Sequence, residues 1–205
     1  AQLIAFKVTK IALLLVTIGF AILFMAKRQR TKQVGTAIMG VGLVFFGMQL
    51  MSQATEPLRS YPAFVNSMSN LDASIGAVLV GAGFTALIQS SAATTGLVIV
   101  LASQGLITLE TSIAIVFGAN IGTCVTALLA SIGKPTEALQ AAMVHVLFNV
   151  IGVLIWFPFI GPFADFVRGL SPAVMDGTAI EIPRQIANAH TIFNVTNTVL
   201  FLPFT

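Results

Sequence analysis

The chain has 205 residues, of which 57% are hydrophobic and only 8% charged, with a formal net charge of +3. A soluble globular domain carries about 25% charged residues, so this chain lacks the side chains to coat a water-facing surface. A soluble fold is excluded, and a bundle of apolar helices in lipid, each needing about 20 residues to span, is what remains.

The first apolar run covers residues 4–26. Lys7 and Lys10 lie one turn apart near its start, where long stems can reach an interface. Ala1 opens directly onto this run, with no cleavable leader pattern, which gives the expectation that the natural polypeptide extends upstream. Lys27, Arg28, Arg30 and Lys32 follow, four of the ten basic residues within six positions. The positive-inside rule assigns that short connection to the cytoplasm. Apolar runs close on it from both sides, which argues against a nucleic-acid patch. Residues 34–51 form a second span containing Gly35, Gly40, Gly42 and Gly47, small residues that let helices approach closely in lipid. Residues 52–74 carry Glu56, Pro57, Arg59, Tyr61, Pro62 and Asp72 and read as an exposed loop on the opposite side.

From residue 73 to 109 there is no charged side chain. Residues 89–96, Gln-Ser-Ser-Ala-Ala-Thr-Thr-Gly, nevertheless interrupt the apolar run in its middle. The arms on either side, 75–88 and 97–106, are each too short to span, so the pattern predicts a re-entrant hairpin or a broken helix. A second interruption is expected at 118–123, Gly-Ala-Asn-Ile-Gly-Thr, between apolar residues 113–117 and 125–132. Gly133, Lys134 and Pro135 mark a turn with a helix restarting at Thr136. Residues 139–159 make a full span. Residues 161–183, with Asp165, Arg168, Asp176 and Glu181, read as a loop, and 186–204 as the last span. His145-Val146-Leu147-Phe148-Asn149 and His190-Thr191-Ile192-Phe193-Asn194 share the form H-x-x-F-N. That spacing puts His, Phe and Asn on one helical face, a pattern that suits helix packing. The single cysteine, Cys124, excludes an intramolecular disulfide and shows no metal-ligand spacing.

Breaking a helix in lipid strands backbone N–H and C=O groups, each costing several kcal/mol unless a partner is supplied. The N-terminal end of a half-helix suits an oxyanion, and unwound carbonyls suit a small hard cation. Gln89, Ser90, Ser91, Thr94 and Thr95 offer neutral oxygens and donors, with Thr85 one turn before Gln89 on the same face. Asn120, Thr123 and Thr126 offer the same. No Arg or Lys lies in either segment, so an anion held there needs dipoles and co-bound cations to offset its charge. The alternative is structural: Ser and Thr in membrane helices commonly bond the carbonyl one turn back, and small residues commonly pack helices. The two histidines and few acids show no nucleophile–base pairing, so an enzyme is not expected.

At these clusters the sequence resembles a known family. Residues 83–95, Gly-Phe-Thr-Ala-Leu-Ile-Gln-Ser-Ser-Ala-Ala-Thr-Thr, resemble the Q-S-S motif of the type II sodium-dependent phosphate cotransporters. Residues 118–127, Gly-Ala-Asn-Ile-Gly-Thr-Cys-Val-Thr-Ala, resemble the segment that follows it there, and residues 183–194 are similar to the later part of bacterial members. With residues 40–57 included, the likeness covers most of the chain after the basic connection. Two positions depart from the family pattern. Ala92 stands where a third Ser is usual, and Ala119 where eukaryotic members often have Ser. The resemblance implies an all-α membrane protein, a transmembrane helix bundle with re-entrant or broken helices, formed as one repeat of an inverted-repeat transporter. It divides the chain into residues 1–33, a first helix and basic cytoplasmic loop, and residues 34–205, a transport repeat.

The implied activity is sodium-coupled symport of inorganic phosphate, with sodium as coupling ion and no other cofactor. Phosphate would be held by Gln89, Ser90, Ser91 and Thr94, and sodium by Gln89, Ser90, Asn120, Thr123 and Thr126. The family carries two Q-S-S segments and this sequence has one. The implied partners are therefore phosphate, sodium, membrane lipid, and a first repeat lying in the same longer chain or supplied by a second copy. The implied location is the cell membrane, the inner membrane if bacterial, crossed several times. A non-transporting membrane assembly subunit and a carrier of another oxyanion are the alternatives.

Overall fold

The computed structural model of the chain describes residues 11–71, 74–171 and 181–204. All regular structure among them is helical. Lys7, Lys10, Asp72 and Asp176 lie outside the described residues. Three helical stretches among the described residues, Gln29–Ser60, Leu109–Ser131 and Thr136–Leu170, are long and apolar enough to cross a membrane, and shorter apolar helices accompany them. The chain is thus an all-α integral membrane protein.

Helices α1 (Ala12–Met25) and α2 (Gln29–Thr55) form an antiparallel pair. Gly19, Gly35 and Gly42 make it possible. A methyl group added at any of them would overlap the facing helix: Met39 and Gly35 at Gly19, Leu23 and Gly19 at Gly35, Val16 and Ala12 at Gly42. Gly40 and Gly47 face open space, so only part of that glycine set serves packing. The α2 helix is longer than its apolar run at both ends. It takes in Arg30 and Lys32, shrinks the connection to residues 26–28, and contains the expected boundary at 33/34. The expected loop at 52–74 is also largely ordered. A 3₁₀ segment at Glu56–Ser60 opens with Pro57 near its start, where proline's missing N–H costs nothing. A short helix, α3 (Pro62–Leu71), follows.

The α4 helix (Ile75–Ile88) and α5 (Ser91–Ser103) form a hairpin around the Gln89–Ser90 break. The α6 helix (Leu109–Ser131) runs through the centre of the molecule, and nearly every residue of its first two-thirds is buried. The α7 helix (Thr136–Trp156) starts after Gly133 and Pro135, as the turn signal predicts, and returns antiparallel to α6. The expected loop at 161–183 contains α8 (Ile160–Leu170), which buries Ile160, Phe163, Ala164 and Val167. This i, i+3, i+4, i+7 spacing is that of an amphipathic helix. The α9 helix (Glu181–Phe201) closes the bundle. An aromatic cluster fastens α6 to the last three helices. Phe117 lies 4.4 Å from Phe193 and 6.3 Å from Phe163, ring centre to ring centre, and Trp156 lies 4.7 Å from Phe163.

The second interruption expected at 118–123 does not exist: α6 is continuous from 109 to 131. Its glycines serve a different purpose. Added methyls at Gly118 and Gly122 would run into Val78, Ala82 and Thr85 of α4, and one at Gly81 into the backbone of Ile115. The stripe Ala77, Gly81, Thr85 on α4 therefore lies directly on the stripe Ala114, Gly118, Gly122 on α6, each with four-residue spacing. Such small-residue stripes bring backbones into contact and gain dispersion energy where lipid offers no hydrophobic driving force.

Candidate functional site

The α4–α5 hairpin is a re-entrant element by its dimensions. The 14 residues of α4 and the 13 of α5 each rise about 20 Å, whereas the 23 residues of α6 rise about 35 Å. The contacts of Gly81 with Ile115 and of Gly122 with Thr85 increase in number together along both chains, so α4 and α6 run parallel. Continued by one turn, this register puts Gln89 roughly level with Thr126, a little over one turn short of the end of α6. The hairpin thus enters and leaves on the side where α6 begins, and its tip stops short of the far end of α6.

The break at the tip has a defined geometry. Gln89 ends α4 in the left-handed conformation, φ 54° and ψ 30°, with its N–H donating to the Thr85 carbonyl at 2.7 Å. Ser90 is extended, φ −146° and ψ 99°, and caps α5: its Oγ accepts the Ala93 N–H at 3.2 Å and its carbonyl the Thr94 N–H at 3.1 Å. An N-cap serine satisfies only part of a helix's first-turn donors. The N–H groups of Ser91 and Ala92 have no place in the helical ladder and carry the positive end of the helix dipole. The Gln89 side chain is exposed, and Ser90 and Ser91 are half-buried. Ala92, exposed beside them, presents a methyl where a hydroxyl would otherwise face the same space.

Thr94 and Thr95 behave differently. Thr94 is 1% exposed, and its Oγ1 lies 2.7 Å from Oγ1 of Thr85, which is fully buried. Thr94 also reaches the Ser90 carbonyl at 3.2 Å, and Thr95 Oγ1 donates to the Ser91 carbonyl at 2.7 Å. The Thr85–Thr94 hydrogen bond ties the two arms together just behind the tip. Thr94 therefore sits one layer behind Gln89, Ser90 and Ser91.

On α6, Asn120 is buried and donates Nδ2 to the Val116 carbonyl at 3.1 Å, while Thr123 Oγ1 donates to the Ala119 carbonyl at 2.8 Å. Thr126 is exposed, on the same helical face as Gly122 and so toward α4. At 3.6 residues per turn, Asn120 lies roughly 120° around the helix from Thr126, with Thr123 between them. Asn120 shares its face with Cys124, whose Sγ approaches the His145 carbonyl of α7 at 3.6 Å. The structure thus gathers Gln89, Ser90, Ser91 and Thr126 at one level and turns Asn120 toward α7.

Both H-x-x-F-N segments fold back on themselves. Asn149 Nδ2 donates to the His145 carbonyl at 2.9 Å and Asn194 Nδ2 to the His190 carbonyl at 2.7 Å, while Phe193 is buried in the aromatic cluster. This is packing, as their spacing suggests. One residue escaped the sequence reading altogether. Gln104, after α5, donates Nε2 to the Ser52 carbonyl at 2.8 Å and accepts from Thr55 Oγ1 at 3.2 Å, pinning the α5–α6 connection to the end of α2. Only the neighbouring Gly105, at φ +72°, marks that turn in the sequence.

The sequence profile described as Na+/Pi-cotransporter matches residues 1–53 and 63–170. A Bacillus subtilis (strain 168) protein, YqeW, is 34% identical over the whole chain, which covers 64% of that relative. A Salmonella typhimurium (strain LT2) protein, YjbB, named for inorganic phosphate export, is 26% identical over the whole chain, which covers 36% of it. The sodium-dependent phosphate transport protein 2C of Rattus norvegicus is 44% identical over 85 residues, 40% of this chain and 14% of that protein. The chain spans less than two-thirds of each of these relatives. No solved structure matches it.

Proposed function

Because the chain belongs to the Na+/Pi-cotransporter family, we propose that it moves inorganic phosphate across the cell membrane together with sodium, using the α4–α5 tip as its binding centre. On this reading it is a multi-pass transporter and not an enzyme. Residues 34–205 carry the transport repeat and residues 1–33 its anchoring arm. A first repeat, in the same longer polypeptide or in a second copy, covers the open side of the tip.

The observation that carries the proposal is the break at Gln89 and Ser90. It places two unbonded backbone N–H groups, two serine hydroxyls and a glutamine amide at the end of a hairpin that stops short of the far end of α6. Those donors suit the oxygens of phosphate, and the α5 dipole favours its charge. Gln89, Ser90 and Ser91 are the phosphate ligands. Thr94 acts behind them by holding the arms together through Thr85. Sodium is bound by oxygens of Gln89, Ser90 and Thr126 at the tip, with Thr123 next to them. Asn120 joins the set only if α6 turns relative to α4. With no Arg or Lys in the tip, sodium is the charge that lets a phosphate dianion enter, which gives the coupling a physical basis.

The test is uptake of radiolabelled phosphate into proteoliposomes under an imposed sodium gradient. Gln89→Ala and Ser90→Ala should abolish sodium-dependent uptake while leaving the amount of inserted protein unchanged. Full uptake by both variants would remove the assignment. The export name of the YjbB relative, matched over the whole chain, favours a second reading in which net flux runs outward. Reversing the gradient in the same vesicles separates the two.

A further inference from the structure

An open cavity of mixed lining, with Val65, Leu106 and Ile107 among its walls, lies away from the tip, at the end of the molecule where α5 leaves and α6 enters. It measures about 370 Å³ and is roofed by the 56–71 segment. Its lining includes Arg59 and Met68 from the roof, and Gln104, Gly105, Thr108 and Thr111 from the α5–α6 connection and the start of α6. The length of α5, 13 residues, puts it about 20 Å from Gln89 and Ser90.

Arg59 is the only charged side chain in this lining, and among the described residues no carboxylate pairs with it. The acid at the start of α6, Glu110, is taken by Arg168 at 2.5 Å, and Arg168 also holds Asp165 at 2.8 Å. The Glu110 carboxylate beside the cavity is thereby held from the α8 side, while the exposed Arg59 guanidinium at its mouth has no carboxylate partner among the described residues. The wall opposite Arg59 offers donors. Thr108 and Thr111 share a single hydroxyl–hydroxyl bond of 2.9 Å, so one of their two hydroxyl protons is left over. Thr108 caps α6 by accepting the Thr111 N–H at 3.1 Å, which leaves the N–H groups of Leu109 and Glu110 outside the helical ladder. Gln104 is committed to Ser52 and Thr55 and so fixes the wall in place.

We propose that this cavity is a capture site for a tetrahedral oxyanion, with Arg59 as its cation and Thr108 and Thr111 as its orienting donors. A guanidinium offers a bidentate fork to phosphate. Placed on the side where the hairpin opens, it raises the local concentration of anion at the entrance. The choice of phosphate as the ligand rests on the function proposed above; the site itself does not use the tip residues.

The experiment is a titration of the purified full chain with inorganic phosphate, followed by ³¹P line broadening, in wild type and in the variants Gln89→Ala, Gln89→Ala/Arg59→Gln and Gln89→Ala/Arg59→Lys. The expected result is a weaker binding component surviving in Gln89→Ala. Adding Arg59→Gln should weaken it at least fivefold, adding Arg59→Lys should weaken it by a smaller factor because the charge stays while the bidentate fork is lost, and choline chloride should weaken it further, because an exposed charge is screened. Residual binding indifferent to Arg59→Gln would overturn the capture site. Loss of all binding in Gln89→Ala alone would also overturn it, and would leave the tip assignment standing. Undiminished binding in Gln89→Ala that vanishes with Arg59→Gln would keep the capture site and remove the tip assignment. No binding by wild type would remove both.

Discussion

Gln89 occupies a backbone conformation that glycine fits without strain and other residues pay for. At φ 54° an L side chain costs about 1–2 kcal/mol relative to the right-handed region, and helices most often end in this way on glycine. A glutamine standing there puts a polar side chain at the tip at the expense of local stability, which is the pattern expected where function uses strain. The prediction that separates these two contributions is Gln89→Gly. It should leave the thermal unfolding midpoint unchanged or raise it, by up to about 1 kcal/mol in stability, while sodium-driven phosphate uptake is lost. Uptake at the wild-type rate would mean that the amide is not a ligand and that only the turn matters.

Between elements, the glycines of the G-A-N-I-G-T segment carry a structural task that their place in the sequence conceals. Read along the chain, Gly118, Asn120, Gly122 and Thr123 resemble a polar gap in an apolar helix. In three dimensions the polar atoms of Asn120 and Thr123 are satisfied by carbonyls one turn back, so the helix does not need to open. The hairpin at 89–90 was legible because two arms too short to span flanked a polar centre with no charges. The continuity of α6 was not legible, because its length comes from burial on all sides and its partner, α4, lies 37 positions away along the chain. The Thr85–Thr94 bond was half legible: periodicity put Thr85 on the face of Gln89, but only the fold brings it to Thr94. The four-residue spacing of Ala77, Gly81 and Thr85 and of Ala114, Gly118 and Gly122 was the signal that would have exposed this packing. It leads to a sharp contrast. Gly118→Ala or Gly81→Ala forces backbone apart and should destabilise the purified protein by about 1–3 kcal/mol or more, seen as an early unfolding transition and loss of monodispersity in detergent. Gly83→Ala, on the same helix but facing open space, should shift the transition little. Equal shifts for Gly83 and Gly118 would show that α4 and α6 are not in backbone contact.

For the molecule as a whole, charge and chain direction together fix which side the hairpin opens to. The end that holds the α1–α2 connection and the end of α6 carries Lys27, Arg28, Arg30, Lys32 and Lys134 against a single acid, Glu137. At the other end, among the described residues, Arg59, Arg168 and Arg184 stand with Glu56, Glu110, Asp165 and Glu181, and Arg168 is paired with two of those acids. Basic residues crowded into a short connection favour the cytoplasmic side, which predicts that the hairpin and the Arg59 cavity open to the opposite side and that the tip reaches toward the cytoplasm. Cys124 is 2% exposed, so a Cys124→Ala background should tolerate single reporter cysteines. In intact cells a membrane-impermeant thiol reagent should then label Ser60→Cys, and leave Thr31→Cys and Thr136→Cys unmodified until the membrane is permeabilised. The reverse pattern would invert the molecule and make the Arg59 cavity an exit. Labelling of all three in intact cells would mean that both orientations coexist, in which case two identical chains could face each other in opposite senses and supply the two halves of one pathway. Labelling confined to Ser60→Cys would tie the proposed first repeat to a different segment of polypeptide, because one fixed orientation cannot generate its own inverted partner.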